Sequence, residues 1–431
     1  MNYQEALDYL KQLTKFGWNP GLFRIQKLME MLGNPEQKLK VIHIGGTNGK
    51  GSTSAMVTSI LQQAGYRVGL FTSPHLHSYT ERVQINGKQI PPERIAELLT
   101  TLKPLLEEMV AAGYEHPTEF EVNTALALLY FYREQVDYCV LEVGLGGAID
   151  STNVVQPLVA VITNVGMDHM DYLGNTLTEI ARVKAGIIKR GVRAVTAADR
   201  PEVLKVIEGV CKEKGVELVH VGRDIAYEVK NVTPAGTCFS VKGLKQDYND
   251  LFTPLVGSHQ AVNGATAVAA IESLAHFGIE IAPEHIRKGL ALTSWPARLE
   301  LFQKDPAVLI DAAHNLDGAR TLQEALQNVF TFKRLVLVIG MLADKEREKV
   351  LALLAPLADS IIVTKPNSPR VGQWQDMAQM AKKYTSNVYL VEDIAAAVEK
   401  GLSLTGPDDL LCITGSIYMV AEARAFLLSN K

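Results

Sequence analysis

The sequence has little of what marks several specialised classes of protein. It contains only four cysteines in 431 residues, with no C-x-x-C pair and no histidines at zinc-finger spacing, so we expect reduced thiols. No apolar run approaches the roughly 20 residues of a membrane-spanning helix, and the opening MNYQEALDYLKQL is an amphipathic helix pattern rather than a targeting signal. The net charge of −4 comes without the basic patches that nucleic acid or an anionic membrane requires. We therefore expect a cytoplasmic protein with no nucleic-acid or membrane partner, and a monomer.

The chain does have length and a regular alternation of apolar patterns. Its 431 residues exceed what one hydrophobic core usually serves, and a hydrophobic content of 47% is enough for two. Strand-like runs alternate with helical patterns, which is typical of parallel α/β architecture. Residues 218–245 change to short alternating runs that indicate antiparallel strands, and residues 293–296 indicate an interdomain linker. The predicted strands cover residues 41–44, 68–71, 138–141, 159–163, 194–196, 307–310, 335–339, 360–363, 387–391 and 410–413, and the main predicted helices residues 54–63, 92–109, 121–135, 178–188, 201–214 and 261–277.

Residues 41–52, VIHIGGTNGKGS, join a predicted strand to a glycine-rich turn that ends in a lysine. Such a turn directs successive backbone N–H groups at one point, and the N-terminus of the next helix adds positive partial charge there. Lys50 would reach the terminal phosphates of a nucleotide, and the Ser52 hydroxyl would ligate its magnesium ion. The remaining loop residues predicted to contact the nucleotide are Thr47, Asn48, Gly49 and Gly51. The fold predicted is α/β: a P-loop parallel-sheet ATPase domain over residues 1–295, followed by a smaller Rossmann-like α/β domain over residues 296–431.

The loop departs from the common phosphate-binding pattern. Ile44 stands where that pattern places its first glycine, and Gly51 rather than Ser or Thr follows the lysine. In the form GTNGKGS it resembles the nucleotide loop of the Mur ligase superfamily, and the glycine after the lysine is similar to the branch containing folylpolyglutamate synthase and dihydrofolate synthase. Further motifs in the same order extend the resemblance from the N-terminal helix to residues 415–416.

A candidate magnesium site follows from the ends of the predicted strands. Glu142 ends an apolar strand, and the carboxyl ends of parallel strands share one edge of a sheet, so its carboxylate would lie near the phosphate loop. Ser73 and His169 stand just past two other strands. Taken singly, a serine in a turn or a histidine in a loop is more often structural. The resemblance implies that Ser73, Glu142 and His169 together hold magnesium.

Lys184 lies in a helical pattern, where a lysine usually faces solvent. The resemblance implies something more specific, because the lysine of this KAGI segment is carbamylated in many Mur ligases. A carbamate would turn a cation into an anion that supports magnesium. The sequence therefore makes Lys184 a candidate catalytic residue beside Lys50.

The second half of the chain supplies further residues that the resemblance assigns to the nucleotide. Arg298, in a W-P-x-R-x-E segment, is implied to contact ATP phosphate, for which guanidinium is well suited. Asp311 and His314, in a D-x-A-H-N segment, are implied to bind nucleotide and to lie near the phosphates, with His314 a candidate catalytic residue. The same residues also suit a cap for the following helix. Asn263 is implied to meet the adenine, although an asparagine alone is more often structural.

Two residues are candidates for binding the substrate. Phe120 stands in a segment that resembles a pterin-contact region, and its alternative role is a core aromatic at the start of a helix. Asp150 matches an acid that related bifunctional enzymes place at the pterin. The resemblance thus implies an ATP- and Mg²⁺-dependent ligase that joins L-glutamate to folate, to dihydropteroate or to both, through an acyl phosphate. A peptidoglycan Mur ligase is the nearest alternative, and a P-loop kinase or GTPase shares only the first motif.

Overall fold

The computed structural model describes residues 1–17 and 19–430, and their contacts divide the chain into two compact units. The first unit consists of residues 1–228, 239–252 and 261–293. The second consists of residues 229–238, 253–260 and those from 294 onward. Among the described residues, no helix is both long enough and apolar enough to cross a membrane.

The first unit is built on an eight-stranded sheet in the order β4-β3-β2-β5-β1-β6-β7-β8. The six strands from β2 to β8 in this order pair in parallel, whereas β3 and β4 add an antiparallel edge. The central strands are buried on both faces, as expected for a parallel sheet covered by helices. The strands are β1 (Val41–Gly45), β2 (Val68–Phe71), β3 (Val83–Ile85), β4 (Lys88–Gln89), β5 (Tyr138–Glu142), β6 (Val159–Ile162), β7 (Arg193–Thr196) and β8 (Leu218–His220).

Helices cover this sheet, and the described residues include two apolar clusters that the helices form with it. One cluster centres on α4 and α5 against β5, and the other on α7 and α8 against β6 and β7. Capping boxes fix the starts of two of these helices, with Thr118 paired to Glu121 and Thr176 to Glu179. The helices up to residue 291 are α1 (Tyr3–Leu13), α2 (Phe23–Met31), α3 (Lys50–Gln63), α4 (Pro92–Ala111), α5 (Glu119–Arg133), α6 (Met170–Leu173), α7 (Leu177–Ala185), α8 (Pro201–Lys214), α9 (Ser258–Ser273) and α10 (Pro283–Ala291).

A separate three-stranded sheet follows β8 along the chain, in the order β11-β10-β9. Its strands are β9 (Ala226–Thr233), β10 (Gly236–Lys242) and β11 (Asp247–Thr253).

The second unit contains a six-stranded sheet in the order β12-β13-β17-β14-β15-β16. All neighbours pair in parallel except β12, which runs antiparallel to β13. The elements are β12 (Glu300–Lys304), β13 (Ala307–Asp311), α11 (Leu316–Asn328), β14 (Leu335–Ile339), α12 (Arg347–Leu354), β15 (Ser360–Val363), α13 (Asp376–Ala381), β16 (Val388–Leu390), α14 (Ile394–Leu404), β17 (Leu410–Thr414) and α15 (Ile417–Ser429).

The predicted α/β fold, a P-loop domain followed by a smaller Rossmann-like domain, is confirmed. Three details of the sequence prediction are wrong. The helix predicted from residue 54 begins at Lys50, because Gly49, with a φ of 81°, turns the chain directly into its first turn. Strand β8 pairs in parallel with β7, although residues 218–245 were expected to form antiparallel strands. The strands β3, β4 and β12 were not predicted.

Candidate functional site

The loop between β1 and α3 depends on two glycines in left-handed conformations. Gly46 has a φ of 142°, and a side chain there would collide with Thr163. At Gly49, an added Cβ would lie 2.5 Å from Oδ1 of Asn263 in α9. The predicted adenine contact Asn263 is therefore placed directly against the glycine-rich loop.

Hydrogen bonds to the segment after β6 hold this loop in shape. The Thr47 hydroxyl accepts from the N–H of Gly166 at 2.9 Å, and the N–H of Thr47 donates to the carbonyl of Asn164 at 3.0 Å. The N–H of Asn48 donates to Oδ1 of Asn164 at 2.8 Å. Sequence reasoning missed Asn164, although its position directly after a predicted strand was a signal. These hydrogen bonds anchor the loop to the segment that follows β6.

Two predicted lysines meet at one backbone carbonyl. Nζ of Lys50 donates to the carbonyls of Gly46 at 3.1 Å and Thr47 at 3.0 Å, and Nζ of Lys184 donates to that of Gly46 at 2.9 Å. Lys184 is only 4% exposed, so it is not a solvent-facing lysine. Burial, and then the nearby charge of Lys50, lower the pKa of Lys184 from 10.5 to about 7.

Glu142 and Ser73 lie together at the carboxyl edge of the first sheet. Ile44 of β1 is in register with Glu142 of β5, and the N–H of Ser73 donates to Oε2 of Glu142 at 3.3 Å. Ser52 is buried in the first turn of α3. The oxygen atoms of Ser52, Ser73 and Glu142 are of the donor type that Mg²⁺ prefers, so these side chains fit the predicted cation.

His169 is the N-cap residue of α6 and has a left-handed φ of 52°. Its N–H donates to Oδ1 of Asp168 at 2.9 Å, and its Nε2 lies 3.8 Å from Oδ2 of the same residue. Within residues 1–17 and 19–430, no group of three His, Cys, Asp or Glu side chains is arranged to hold a metal ion. His169 therefore stays a predicted ligand.

Phe120 occupies the first turn of α5 and is partly exposed. Its ring packs so closely on Gly144 that a side chain at Gly144 would collide with it, and its centroid lies 6.0 Å from that of Phe71. One face of the ring is thus held against the turn that follows Glu142.

Asp150 is buried and its carboxylate is held within its own turn. It accepts from the N–H of Leu145 at 2.7 Å, from the N–H of Thr152 at 2.9 Å and from the Thr152 hydroxyl. The same hydroxyl lies 2.8 Å from Nε2 of His43 in β1. Burial raises the pKa of Asp150, whereas these hydrogen bonds oppose the rise. The carboxylate therefore shapes the turn between residues 144 and 153.

In the second unit, Arg298 and Asp311 form one electrostatic cluster. Nη1 of Arg298 donates to the carbonyl of Ala297 at 2.9 Å. Asp311 ends β13 and accepts from the N–H groups of Leu299 and Ala313, both at 2.8 Å. Burial raises the pKa of Asp311, and the charge of Arg298 opposes this shift.

The cap of α11 is a residue other than Asp311 or His314. Oδ1 of Asn315 accepts from the N–H of Gly318 at 2.9 Å, which is a standard N-cap. Nδ1 of His314 lies 3.0 Å from the carbonyl of Ala312. The helix-cap explanation of the D-x-A-H-N segment thus applies to its asparagine.

Two further polar clusters in the first unit were not found from the sequence. Arg24 of α2 is buried, with Nε 3.1 Å from Glu121 and Nη1 3.1 Å from Glu115. Arg82 contacts His75 and Glu119. Both clusters include contacts between residues far apart in the chain, which a local sequence pattern does not reveal.

The chain is similar to known proteins over nearly its whole length. The Mur ligase middle domain matches residues 44–271, and the Mur ligase glutamate ligase domain matches residues 297–417. A Bacillus subtilis dihydrofolate synthase/folylpolyglutamate synthase is 40% identical over 98% of both chains. A Mycobacterium tuberculosis folylpolyglutamate synthase solved with ADP is 34% identical over 98% of both chains, with a TM-score of 0.92. An Escherichia coli structure with DHPP and ADP is 31% identical over 100% of this chain and 98% of that one, with a TM-score of 0.90.

Proposed function

The chain belongs to the Mur ligase family, in the branch of folylpolyglutamate synthase and dihydrofolate synthase, and on that premise we propose that it joins L-glutamate to a folate carboxylate using ATP. The observation that carries this function is the meeting of Lys50 and Lys184 at the Gly46 carbonyl, in a phosphate loop that shares a sheet edge with Ser73 and Glu142. That edge combines the Lys50 cation, which suits phosphate, with oxygen donors for a metal ion.

The chemistry needs an activated carboxylate, because an amine does not displace the poor leaving group of a free acid. ATP phosphorylates the acceptor to an acyl phosphate, and the amine of glutamate then displaces phosphate. The ammonium of Lys50 stabilises charge on the transferring phosphoryl group, and the N–H groups of the loop orient it. Ser52, Ser73, Glu142 and His169 are proposed to hold Mg²⁺, which would neutralise phosphate charge when bound.

Lys184 is proposed to be carbamylated. Carbamylation requires carbon dioxide and a neutral amine, and a pKa of about 7 leaves much of this lysine neutral near physiological pH. The carbamate would bring an anion to the loop, where the unmodified lysine is a second cation beside Lys50. A Lys184→Ala variant should lose activity and regain part of it with small carboxylates that occupy the vacated space.

The remaining residues fall into two groups. The nucleotide is proposed to be bound by Thr47, Asn48, Gly49, Lys50, Gly51, Ser52, Asn263, Arg298 and Asp311, with His314 near the phosphates. Phe120 and Asp150 are proposed to contact the pterin. Support for the first group comes from the anchored loop and from the Arg298 and Asp311 cluster.

A product assay tests the proposal and separates the acceptors. The purified enzyme is incubated with ATP, Mg²⁺ and L-glutamate, together with either tetrahydrofolate or dihydropteroate. Release of ADP and phosphate should require both L-glutamate and one of these acceptors. Turnover of a UDP-linked peptidoglycan precursor instead would favour the peptidoglycan alternative, and ADP release without glutamate would favour a kinase.

Three broader expectations belong to the same proposal. We propose an ATP-binding domain over residues 1–295 and a glutamate ligase domain over residues 296–431. We also propose that the enzyme works in the cytoplasm, as a monomer, on small-molecule substrates. Light scattering of the purified protein tests the oligomeric state.

A further inference from the structure

Arg82 lies in a polar cluster that contacts both the segment around Ser73 and the start of α5, where Phe120 lies. The backbone carbonyl of Arg82 accepts from the N–H of Thr72 at 3.0 Å, which places the Arg82 backbone next to the residue before Ser73. Its Nη1 lies 3.4 Å from Oε1 of Glu119, the residue before Phe120. The side chain is 12% exposed and therefore mostly removed from water.

Neighbouring side chains hold the guanidinium in one orientation. Nε of Arg82 donates to Nδ1 of His75 at 2.9 Å, and the guanidinium carbon lies 4.8 Å from the centroid of the Tyr79 ring. The Tyr79 hydroxyl donates to Glu119 at 2.8 Å, so Glu119 is fixed as well.

This arrangement leaves hydrogen-bonding capacity unused. Among the described residues, Nη2 of Arg82 makes no hydrogen bond, and Nη1 makes only the long contact to Glu119. A guanidinium with free, oriented N–H groups is matched by a carboxylate, which it binds in a bidentate fork.

We propose that Arg82 binds the α-carboxylate of the glutamate that a folate acceptor already carries. This inference rests on the proposed function. In such an acceptor the γ-carboxylate is phosphorylated at the metal edge and the pterin lies toward Phe120. The α-carboxylate lies between them, and Arg82 joins the same two regions through its backbone contact to Thr72 and its guanidinium contact to Glu119. Dihydropteroate has no second carboxylate, so Arg82 serves as a specificity determinant for adding glutamate to folates.

The test compares tetrahydrofolate with its α-carboxamide, which keeps the γ-carboxylate and loses only the charge in question. The wild-type enzyme should prefer the carboxylate in kcat/KM by about tenfold to a hundredfold, the effect of one hydrogen-bonded charge. Arg82→Gln should abolish this preference while turnover of the carboxamide changes little. Arg94→Gln removes an exposed arginine on α4 and should leave the preference unchanged.

A second variant gives a result of opposite sign. Glu119→Gln removes the negative charge beside Arg82, so it should lower the KM for tetrahydrofolate and strengthen the preference for the carboxylate. Arg82→Lys keeps the positive charge but loses the bidentate guanidinium, so it should keep part of the preference for the carboxylate. This variant tests the proposal even if Arg82→Gln does not fold.

Four results would overturn the inference. An equal loss with both acceptors in Arg82→Gln would show that the residue only supports the fold. A rise in the KM for L-glutamate with either acceptor would assign Arg82 to the incoming amino acid. If the wild-type enzyme adds glutamate to neither tetrahydrofolate nor dihydropteroate, the proposed function itself is refuted. If it adds glutamate to dihydropteroate alone, only the role of Arg82 is refuted.

Discussion

Replacing Lys184 with methionine tests whether this lysine is held neutral in the folded protein. Methionine is of similar length and carries no charge. Lys184 is 4% exposed, and burial together with Lys50 lowers its pKa from 10.5 to about 7. In the unfolded chain the ordinary value returns. Between pH 7 and pH 10.5 the unfolded chain therefore binds more protons, so this lysine makes the free energy of unfolding rise with pH across that window.

The size of the effect follows from the two pKa values. With about 1.4 kcal/mol per pKa unit, the single site makes the free energy of unfolding rise by about 2 kcal/mol between pH 7 and pH 9. Lys184→Met lacks this term. The wild type should therefore gain about 2 kcal/mol relative to the variant over this range, because the other titrating groups are common to both proteins.

The assay is urea unfolding followed by circular dichroism at pH 7, 8 and 9, in buffers freed of carbon dioxide so that the amine stays unmodified. Lys205→Met, on an exposed position of α8, is the matched control and should follow the wild-type pH dependence. Parallel curves for the wild type and Lys184→Met would refute the reasoning, since they would show that Lys184 titrates alike in the folded and unfolded chains.

Three other substitutions give separate predictions. Lys50→Ala should abolish ATP-dependent product formation and leave the circular dichroism spectrum unchanged, because its ammonium donates to loop carbonyls and not to a partner in the core among the described residues. Substantial turnover would remove Lys50 from the mechanism. Glu142→Gln should shift the magnesium dependence of the reaction to higher concentration and lower turnover, since the amide keeps the shape and loses the charge, and an unchanged titration would contradict this role. Arg24→Met should lower the free energy of unfolding by about 3 kcal/mol, because it leaves the buried Glu121 without its ion-pair partner. In the same urea experiment, the double variant that also carries Glu121→Gln should recover part of this loss.

The elements that could be predicted from the sequence are those set by short-range patterns. The strand over residues 68–71 and the helix over residues 201–214 have the observed bounds, because continuous apolar runs and a proline at the helix start leave little choice. The glycine-rich loop was also predictable, because its conformation depends on the backbone φ angles of individual glycines such as Gly49.

Contacts between distant residues were not predictable from local patterns. Lys184 reaches the carbonyl of Gly46 across 138 positions, so its burial depends on how α7 packs beside the loop. The pairing of β8 with β7 likewise depends on the path of the chain around α8. Arg82 stands in an ordinary turn sequence, and only the fold brings it to His75 and Glu119.

The most direct test of glutamate ligation through an acyl phosphate follows the oxygen atoms of the acceptor. A folate acceptor whose reacting carboxylate carries ¹⁸O in both positions is incubated with the enzyme, ATP, Mg²⁺ and L-glutamate, and the inorganic phosphate is analysed by mass spectrometry. Phosphorylation of the carboxylate, followed by attack of the amine, transfers one ¹⁸O to phosphate for every amide formed. Phosphate without label in a reaction that forms the glutamylated product would contradict the account.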